Sequence, residues 1–153
     1  MLRSNESSYD RCPNLATLLA IRASVLKLPL PSLSHVSANK LCRSAYALTR
    51  IECLRRNIGL SLELSGEDRI LMADGIQLEQ VLVNIIKNAY ESIGSDGEII
   101  IKTLSNPGCI TIEDNGPGIP GDVEGKLFTP FFTTKTSGQG IGLMFVRAVA
   151  YTH

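Results

Sequence analysis

The sequence predicts an α+β protein, a two-layer α/β sandwich in which helices pack on one face of a mixed sheet. In several segments apolar residues recur at helical spacing, and in others they alternate with polar residues as in half-buried strands. With 153 residues and 44% hydrophobic content, the chain can bury one core. Helices and strands of this kind bury their apolar faces against each other in two layers.

The N-terminal region contains one predicted helix and then a boundary. Apolar spacing predicts a helix from about 14 to 27. Pro29 and Pro31 end it, and the stretch "LPLPSLSHV" is expected to be extended because a residue that precedes proline avoids the helical region. We therefore place the boundary of the main domain after residue 31.

A second helix and two strands are predicted next. Ser37 can cap a helix that ends near Asn57, and its apolar stripe is expected to consist of Leu41, Ala45, Leu48 and Ile51. The alternation in "IGLSLEL" predicts a half-buried strand, and "RILMAD" predicts a short one.

The longest predicted helix runs from Gly75 to Ile93, and Asp74 with Gln77 forms a capping-box pattern at its start. The segments "EIIIKTL" and "CITIED" follow as two strands of a hairpin, joined by the turn-forming "SNPG". Beyond them we expect a glycine loop, a single turn near Asp122 to Lys126, a flexible stretch to Gln139, and a terminal helix from Gly140 or Ile141 to about Tyr151.

Composition excludes several classes of protein. Fifteen basic and fifteen acidic residues give a net charge of zero, so nothing indicates a nucleic-acid or membrane-surface partner. The four cysteines have no CxxC spacing, which favours reduced, cytosolic thiols over disulfides. The most apolar N-terminal segment is too short and too charged for a membrane span, and no signal peptide is evident.

Two asparagines interrupt the apolar surface of the longest helix. Asn84 and Asn88 are four residues apart and share one face, next to Glu91 on the following turn. One interpretation is an ordinary polar helix face. The other is a site for a metal ion that bridges phosphates, because buried amides need hydrogen-bond partners and Mg²⁺ prefers oxygen ligands.

Asp114 opens the glycine-rich stretch "DNGPGI" where a strand ends. It is either a turn residue, whose carboxylate accepts from nearby backbone amides, or an acceptor for the amino group of a planar base. The glycines that follow allow the backbone to approach a ligand closely.

Two further motifs come later in the chain. "GQGIGL" opens a helix, where free amides bind phosphate well, although its glycines could simply permit close packing. "LFTPFFTTK" could be ordinary core, but its small polar residues and lysine also suit a mobile, phosphate-facing lid.

Taken in order, the asparagine helix, "DNGPGI", "LFTPFFTTK" and "GQGIGL" resemble the N, G1, F and G2 boxes of the histidine-kinase branch of the GHKL ATPases, which have the Bergerat ATP-binding fold. The similarity runs from about Leu33 to Tyr151 and looks closest to nitrogen-regulation-type sensor kinases. It implies an ATP-binding catalytic domain at 32–153, preceded at 1–31 by the tail of a dimerisation helix and a linker.

The resemblance also implies roles and cofactors, namely ATP and Mg²⁺. Asp114 would hold the adenine amino group, Asn88 would ligate Mg²⁺, and Asn84 and Lys135 are the catalytic candidates, which also bind the cofactor. The other candidate cofactor-binding residues are Glu91, Gly116, Gly118, Ile119, Phe128, Thr134, Gly138, Gln139, Gly140, Ile141, Gly142 and Leu143.

The implied function is transfer of the ATP γ-phosphoryl group to a histidine outside this sequence, because neither His35 nor His153 lies in an H-[ED]-x-x-[NT] acceptor pattern. Hydrolysis of ATP and nucleotide binding without turnover are the alternatives. Hydrolytic relatives have a glutamate base at the position of Asn84, which cannot deprotonate water, so the kinase is favoured. Glu91 is the nearest candidate for such a base.

The family domain usually continues beyond the G2 helix with two further strands, so we expect this domain to be C-terminally short, with "CITIED" at a sheet edge. The expected partners are a dimerisation segment that bears the phosphoacceptor histidine and, downstream, a response-regulator receiver domain. The expected location is cytoplasmic, either free or as the cytosolic part of a membrane-bound kinase.

Overall fold

A computed structural model describes residues 27–129, 132–134 and 140–153. The predicted helix over 14–27 lies outside these residues, apart from its last position. In chain order the elements are β1 (Ser34–Ser37), α1 (Ala38–Arg55), β2 (Ile58–Glu63), β3 (Ile70–Ala73), α2 (Gly75–Ile93), β4 (Gly97–Ser105), β5 (Gly108–Asp114), α3 (Gly121–Glu124) and α4 (Gly142–Ala150).

The main sheet has three strands in the order β2-β4-β5. Strand β4 pairs parallel with β2 and antiparallel with β5, which confirms the predicted mixed sheet and the hairpin across "SNPG". Within the described residues β5 has β4 as its one neighbour, so it forms an edge, as expected. The register places Asp114, the last residue of β5, opposite Ile99.

A second, two-stranded sheet pairs β1 with β3 in antiparallel register, from Ser34 opposite Ala73 to Ser37 opposite Ile70. The short strand expected in "RILMAD" is thus confirmed. The end of the extended "LPLPSLSHV" stretch is also a paired strand. Proline spacing predicted its extended backbone but could not indicate its partner, which lies more than thirty residues away in the sequence.

The core lies between the helices and one face of the three-stranded sheet. Ile99 and Ile101 of β4 are completely buried because alternate residues of this strand face the helices, and Ile86 of α2 packs in the same cluster. Thr103, the next residue on that face, is also buried, and its hydroxyl donates to Asn39 Oδ1 and accepts from the Ser65 N–H, both at 2.8 Å. The predicted two-layer arrangement is confirmed.

The predicted apolar stripe of α1 is half wrong. Leu41 and Ala45 are buried, but Leu48 and Ile51 are 62% and 63% exposed. The buried face continues instead through small or weakly polar side chains, Cys42, Thr49 and Cys53. Thr49 can be buried because its hydroxyl donates to Ala45 O at 2.8 Å. Burial also raises the pKa of the Cys42 thiol to about 11, with Asp68 contributing, and this thiol is free.

Helix α2 begins and ends as the sequence predicts. Asp74 is its N-cap, and Oδ1 accepts from the N–H groups of Ile76 and Gln77, each at 3.1 Å. The terminal helix α4 also forms, starting at Gly142, one or two residues after the predicted position. None of the helices in the described part of the chain has the length and apolarity that a membrane crossing requires.

Candidate nucleotide-binding site

One large cavity, of about 1350 Å³, lies beside α2 and is walled on its other sides by the end of β5, the loop after it, α3 and the start of α4. Most of the site residues predicted from the sequence line it, namely Asn84, Asn88, Glu91, Asp114, Gly118, Ile119, Thr134, Gly140, Ile141, Gly142 and Leu143. Segments that are far apart in the sequence therefore share one concave surface, the usual form of a ligand site.

Two of the predicted residues that the structure describes, Gly116 and Phe128, are not in that lining. Gly116 lies next to it and shapes the turn after β5. Phe128 is 42% exposed, and its ring centroid lies 5.7 Å from the guanidinium carbon of Arg147. Lys135, Gly138 and Gln139 lie outside the described residues, as does most of the predicted lid.

The turn after β5 is held by its own polar groups. Asp114 Oδ1 accepts from the Gly116 N–H at 2.9 Å, and Asn115 Oδ1 accepts from the Glu98 N–H at 2.8 Å. A Cβ added at Gly116 would lie 2.8 Å from Asp114 Oδ1 and 3.3 Å from Ile93 Cγ1, which is too close for an unchanged carboxylate. Gly118 has a φ of 75°, a conformation that favours glycine. The Gly116 N–H thus orients the Asp114 carboxylate, and Gly118 allows the chain to turn after it.

The polar face of α2 meets the start of α4. A Cβ added at Gly142 would lie 4.0 Å from Asn88 Nδ2, so the backbone of the "GQGIGL" motif runs close to the asparagine pair. Glu91 Oε1 lies 3.9 Å from Lys87 Nζ on the same helix. The cavity thus brings amide and carboxylate oxygens next to a helix N-terminus, where backbone N–H groups favour anions.

Sequence reasoning missed two kinds of lining residue. The apolar wall includes Ile112 and Phe145, and the polar part includes Lys87 and Ser92. Residue spacing could have predicted two of these. Ile112 precedes Asp114 by two residues and so shares its side of the strand, and Ser92 follows Asn88 by one helical turn. Phe145 carries no such signal, because its place depends on how α4 packs.

The far end of the cavity is formed by the start of α2 and the segment before β1. Leu28, Pro29, Asp74 and Gln77 line it. Asp74 Oδ2 accepts from the Ser32 N–H at 2.9 Å, and Gln77 Nε2 donates to Pro29 O at 3.2 Å. The Ser32 N–H, followed by that of Gln77, holds the pKa of Asp74 below its ordinary value.

A magnesium ion fits this donor set only as a weakly held cation. No cluster of three or more His, Cys, Asp or Glu side chains exists among the described residues. Asn88 and Glu91 instead offer a few oxygen atoms at one wall of the cavity. Mg²⁺ is commonly bound by one or two protein ligands together with substrate phosphates, so this donor set suits it if the ligand brings phosphate oxygens.

Comparison with known proteins agrees with this geometry. Residues 73–153 match the family model described as histidine kinase-, DNA gyrase B-, and HSP90-like ATPase. The signal transduction histidine-protein kinase AtoS of Escherichia coli is 37% identical over 122 residues, which cover 78% of this chain and 20% of AtoS. The sensory histidine kinase/phosphatase NtrB of Rhizobium leguminosarum is 34% identical over 79% of this chain and 34% of its own length.

Solved structures show the same fold. The catalytic domain of histidine kinase ThkA superposes with a TM-score of 0.67 at 33% identity, covering 77% of this chain and 79% of that one. The chain spans between a fifth and about a third of the length of AtoS and NtrB, so it corresponds to one part of such proteins. It belongs to the histidine kinase-, DNA gyrase B- and HSP90-like ATPase family, and within it has the ATP-binding domain of a sensor histidine kinase.

Proposed function

We propose that this domain binds Mg²⁺-ATP and transfers its γ-phosphoryl group to a histidine that is not in this sequence. The observation that carries the proposal is the large cavity beside α2, because it is lined by residues of all four sequence motifs. A domain that transfers phosphoryl groups needs mainly to position the nucleotide and neutralise its charge. The arrangement of a carboxylate at one wall and a helix N-terminus at another suits that task.

In this proposal Asp114 accepts a hydrogen bond from the adenine amino group, and Ile112 and Ile119 pack against the base. Asp114 suits the role because its turn is fixed by Gly116 and it reaches the cavity lining. The start of α4, Gly140 to Leu143, faces the phosphates with its backbone N–H groups. Thr134 borders the same space.

Asn88 is the proposed ligand of Mg²⁺, with Asn84 and Glu91 beside it. The ion would supply neutralisation of phosphate charge, and Asn88 would hold it close to the start of α4. We expect Asn88→Ala to lose about tenfold in ATP affinity in the presence of Mg²⁺ and little in EDTA, with Asn84→Ala as the matched control. Identical titrations of wild type and Asn88→Ala, with and without Mg²⁺, would contradict the metal assignment.

A kinase is favoured over a hydrolase because Asn84 occupies the position of a hydrolytic base, and an amide cannot deprotonate water. Glu91 lines the same cavity and is the one carboxylate on α2 that could replace that base within the described residues. Its Oε1 lies 3.9 Å from Lys87 Nζ on the same helix. The Glu91→Gln variant therefore tests the alternative.

We further propose that residues 32–153 form the catalytic domain and that residues 1–31 connect it to a dimerisation segment that bears the acceptor histidine. A receiver domain is the proposed downstream partner, and ThkA, a similar protein, has been solved in complex with the response regulator protein TrrA. The proposed location is cytoplasmic.

The test is phosphoryl transfer with [γ-³²P]ATP. We expect no label on histidine in the chain alone, because His35 and His153 lack the acceptor pattern, and acid-labile label on a dimerisation segment added in trans. Circular dichroism must show that the protein is folded. Fast hydrolysis without the acceptor, abolished by Glu91→Gln, would favour the ATPase. Binding of ATP with neither transfer nor hydrolysis would favour a nucleotide-binding module.

A further inference from the structure

His153 makes a hydrogen bond that no motif of the site predicts. Its Nε2 accepts from the N–H of Asp74 at 3.0 Å, although the two residues lie 79 positions apart. Its Nδ1 lies 3.0 Å from Val149 O, one turn earlier at the end of α4. A backbone N–H can only donate, so Nε2 must carry the lone pair, and the proton must lie on Nδ1, where it donates to Val149 O. The geometry thus specifies one neutral tautomer.

The bond joins two neighbouring helices that both line the cavity. Asp74 is the N-cap of α2, the helix that carries the asparagine pair. The residue is buried, and its carboxylate accepts from three backbone N–H groups. Val149 belongs to α4 and is completely buried. At the other end of α4, Gly142 approaches Asn88. The imidazole therefore bridges the end of α4 and the start of α2.

We propose that His153 is a positioning residue of the nucleotide site, which acts through Asp74 to hold α4 in register with α2. Without this bond α4 can shift along or away from α2, which moves the Gly140–Leu143 backbone relative to Asn88 and so weakens phosphate binding. A displacement of about 1 Å in a positioning element is enough to reduce function strongly. The inference rests on the proposed function, because its readout is the affinity for ATP.

A pair of amide variants separates this role from a structural one. The glutamine amide reaches about as far as Nε2 of histidine, so His153→Gln can place an acceptor oxygen for the Asp74 N–H. The asparagine amide reaches about as far as Nδ1, so His153→Asn can bond Val149 O but cannot reach Asp74. The two variants are similar in polarity and volume and differ in the one contact that the proposal uses.

Calorimetric titration with ATP and Mg²⁺, below the melting transition of every variant, gives the test. We expect His153→Asn to raise the Kd about three- to tenfold and His153→Gln to stay within about twofold of wild type, since a net hydrogen bond contributes about 1 kcal/mol. Equal affinities in all three proteins, or equal losses in both variants, would overturn the inference. Failure of the wild type to bind ATP would instead contradict the proposed function.

A measurement on the wild type keeps the inference testable if a variant does not fold. Nitrogen-15 spectra should show His153 as the Nδ1–H tautomer, and saturating ATP should slow hydrogen exchange of the Asp74 amide, because coupling between two sites is reciprocal. The Nε2–H tautomer, or an exchange rate of the Asp74 amide that ATP does not change, would contradict the proposal.

Discussion

Two aspartates, Asp74 and Asp114, have similar neighbours in the sequence but differ in burial and hydrogen bonding in the structure. Asp74 follows β3 and precedes Gly75, and Asp114 ends β5 and precedes Asn115 and Gly116. Asp74 is buried, and its two oxygens accept from three backbone N–H groups. Asp114 is exposed and, within the described residues, accepts from the Gly116 N–H alone. The protein therefore uses most of the hydrogen-bond acceptor positions of the Asp74 carboxylate. Most of those of the Asp114 carboxylate stay available to another donor.

This difference separates a carboxylate that holds the fold from one that suits a ligand. An ionised carboxylate has about four acceptor positions, and Asp74 uses three of them for the linker and the start of α2. Asp114 uses one, which fixes its direction without saturating it. A rigid but unsaturated acceptor at a cavity wall is what recognition of an amino group requires.

The first test of this comparison changes Gly116, the glycine that restrains the Asp114 carboxylate, and should affect ATP binding. Gly116→Ala should raise the Kd for ATP about tenfold, since the new Cβ would lie 2.8 Å from Asp114 Oδ1 and must displace the carboxylate. Gly116 is not among the described glycines with positive φ, so alanine brings no such backbone strain there. The measurement is calorimetric titration with ATP.

The matched control for this change is Gly121→Ala, because a Cβ at Gly121 would meet nothing within 4 Å. It should bind ATP like the wild type. Equal affinities of Gly116→Ala, Gly121→Ala and wild type would show that the direction of the Asp114 carboxylate does not matter for binding.

A smaller effect is expected on stability, and only at Asp74. Asp74→Asn should lower the free energy of unfolding by about 1 kcal/mol at pH 7, because charge-assisted hydrogen bonds become neutral ones. The folded-state pKa of Asp74 lies below its ordinary 3.8, so its contribution is present above that value and is lost as the pH falls through the folded pKa. Urea titrations at pH 7 and near pH 3 measure both.

For this stability test the control is Asp114→Asn, whose free energy of unfolding should change less, since the carboxylate is exposed and accepts one bond. If the two variants lose equal stability at pH 7, or if the loss in Asp74→Asn persists unchanged in acid, the contrast between a structural and a ligand-facing carboxylate is wrong.

The sequence predicted most of the elements and most of the cavity lining, because both depend on local patterns. The alternation of apolar and polar residues predicted β4 and β5. The four-residue spacing of Asn84 and Asn88 predicted that they share one face of α2. The cap at Asp74 was also predicted, since capping involves residues two or three positions apart. These signals lie within one element or at its end.

The failures concern contacts between distant elements. Leu48 and Ile51 were expected to be buried. The elements that pack against α1 decide which of its residues are buried, and small residues such as Ala45 and Cys42 fit there. The pairing of β1 with β3 and the bond between Asp74 and His153 join segments that no sequence period connects. The roles of Lys135, Gly138 and Gln139 remain predictions, because these residues lie outside the described part of the chain.

The most direct test of the account is base selectivity at Asp114, measured by calorimetry with ATP and GTP. Guanine presents a carbonyl oxygen where adenine has its amino group, so a carboxylate acceptor should favour ATP. We predict that the wild type binds ATP at least about tenfold more tightly than GTP, and that Asp114→Asn weakens ATP binding by about 1–3 kcal/mol and reduces the preference. Equal affinities for ATP and GTP, unchanged in Asp114→Asn, would contradict the assignment of Asp114 to adenine.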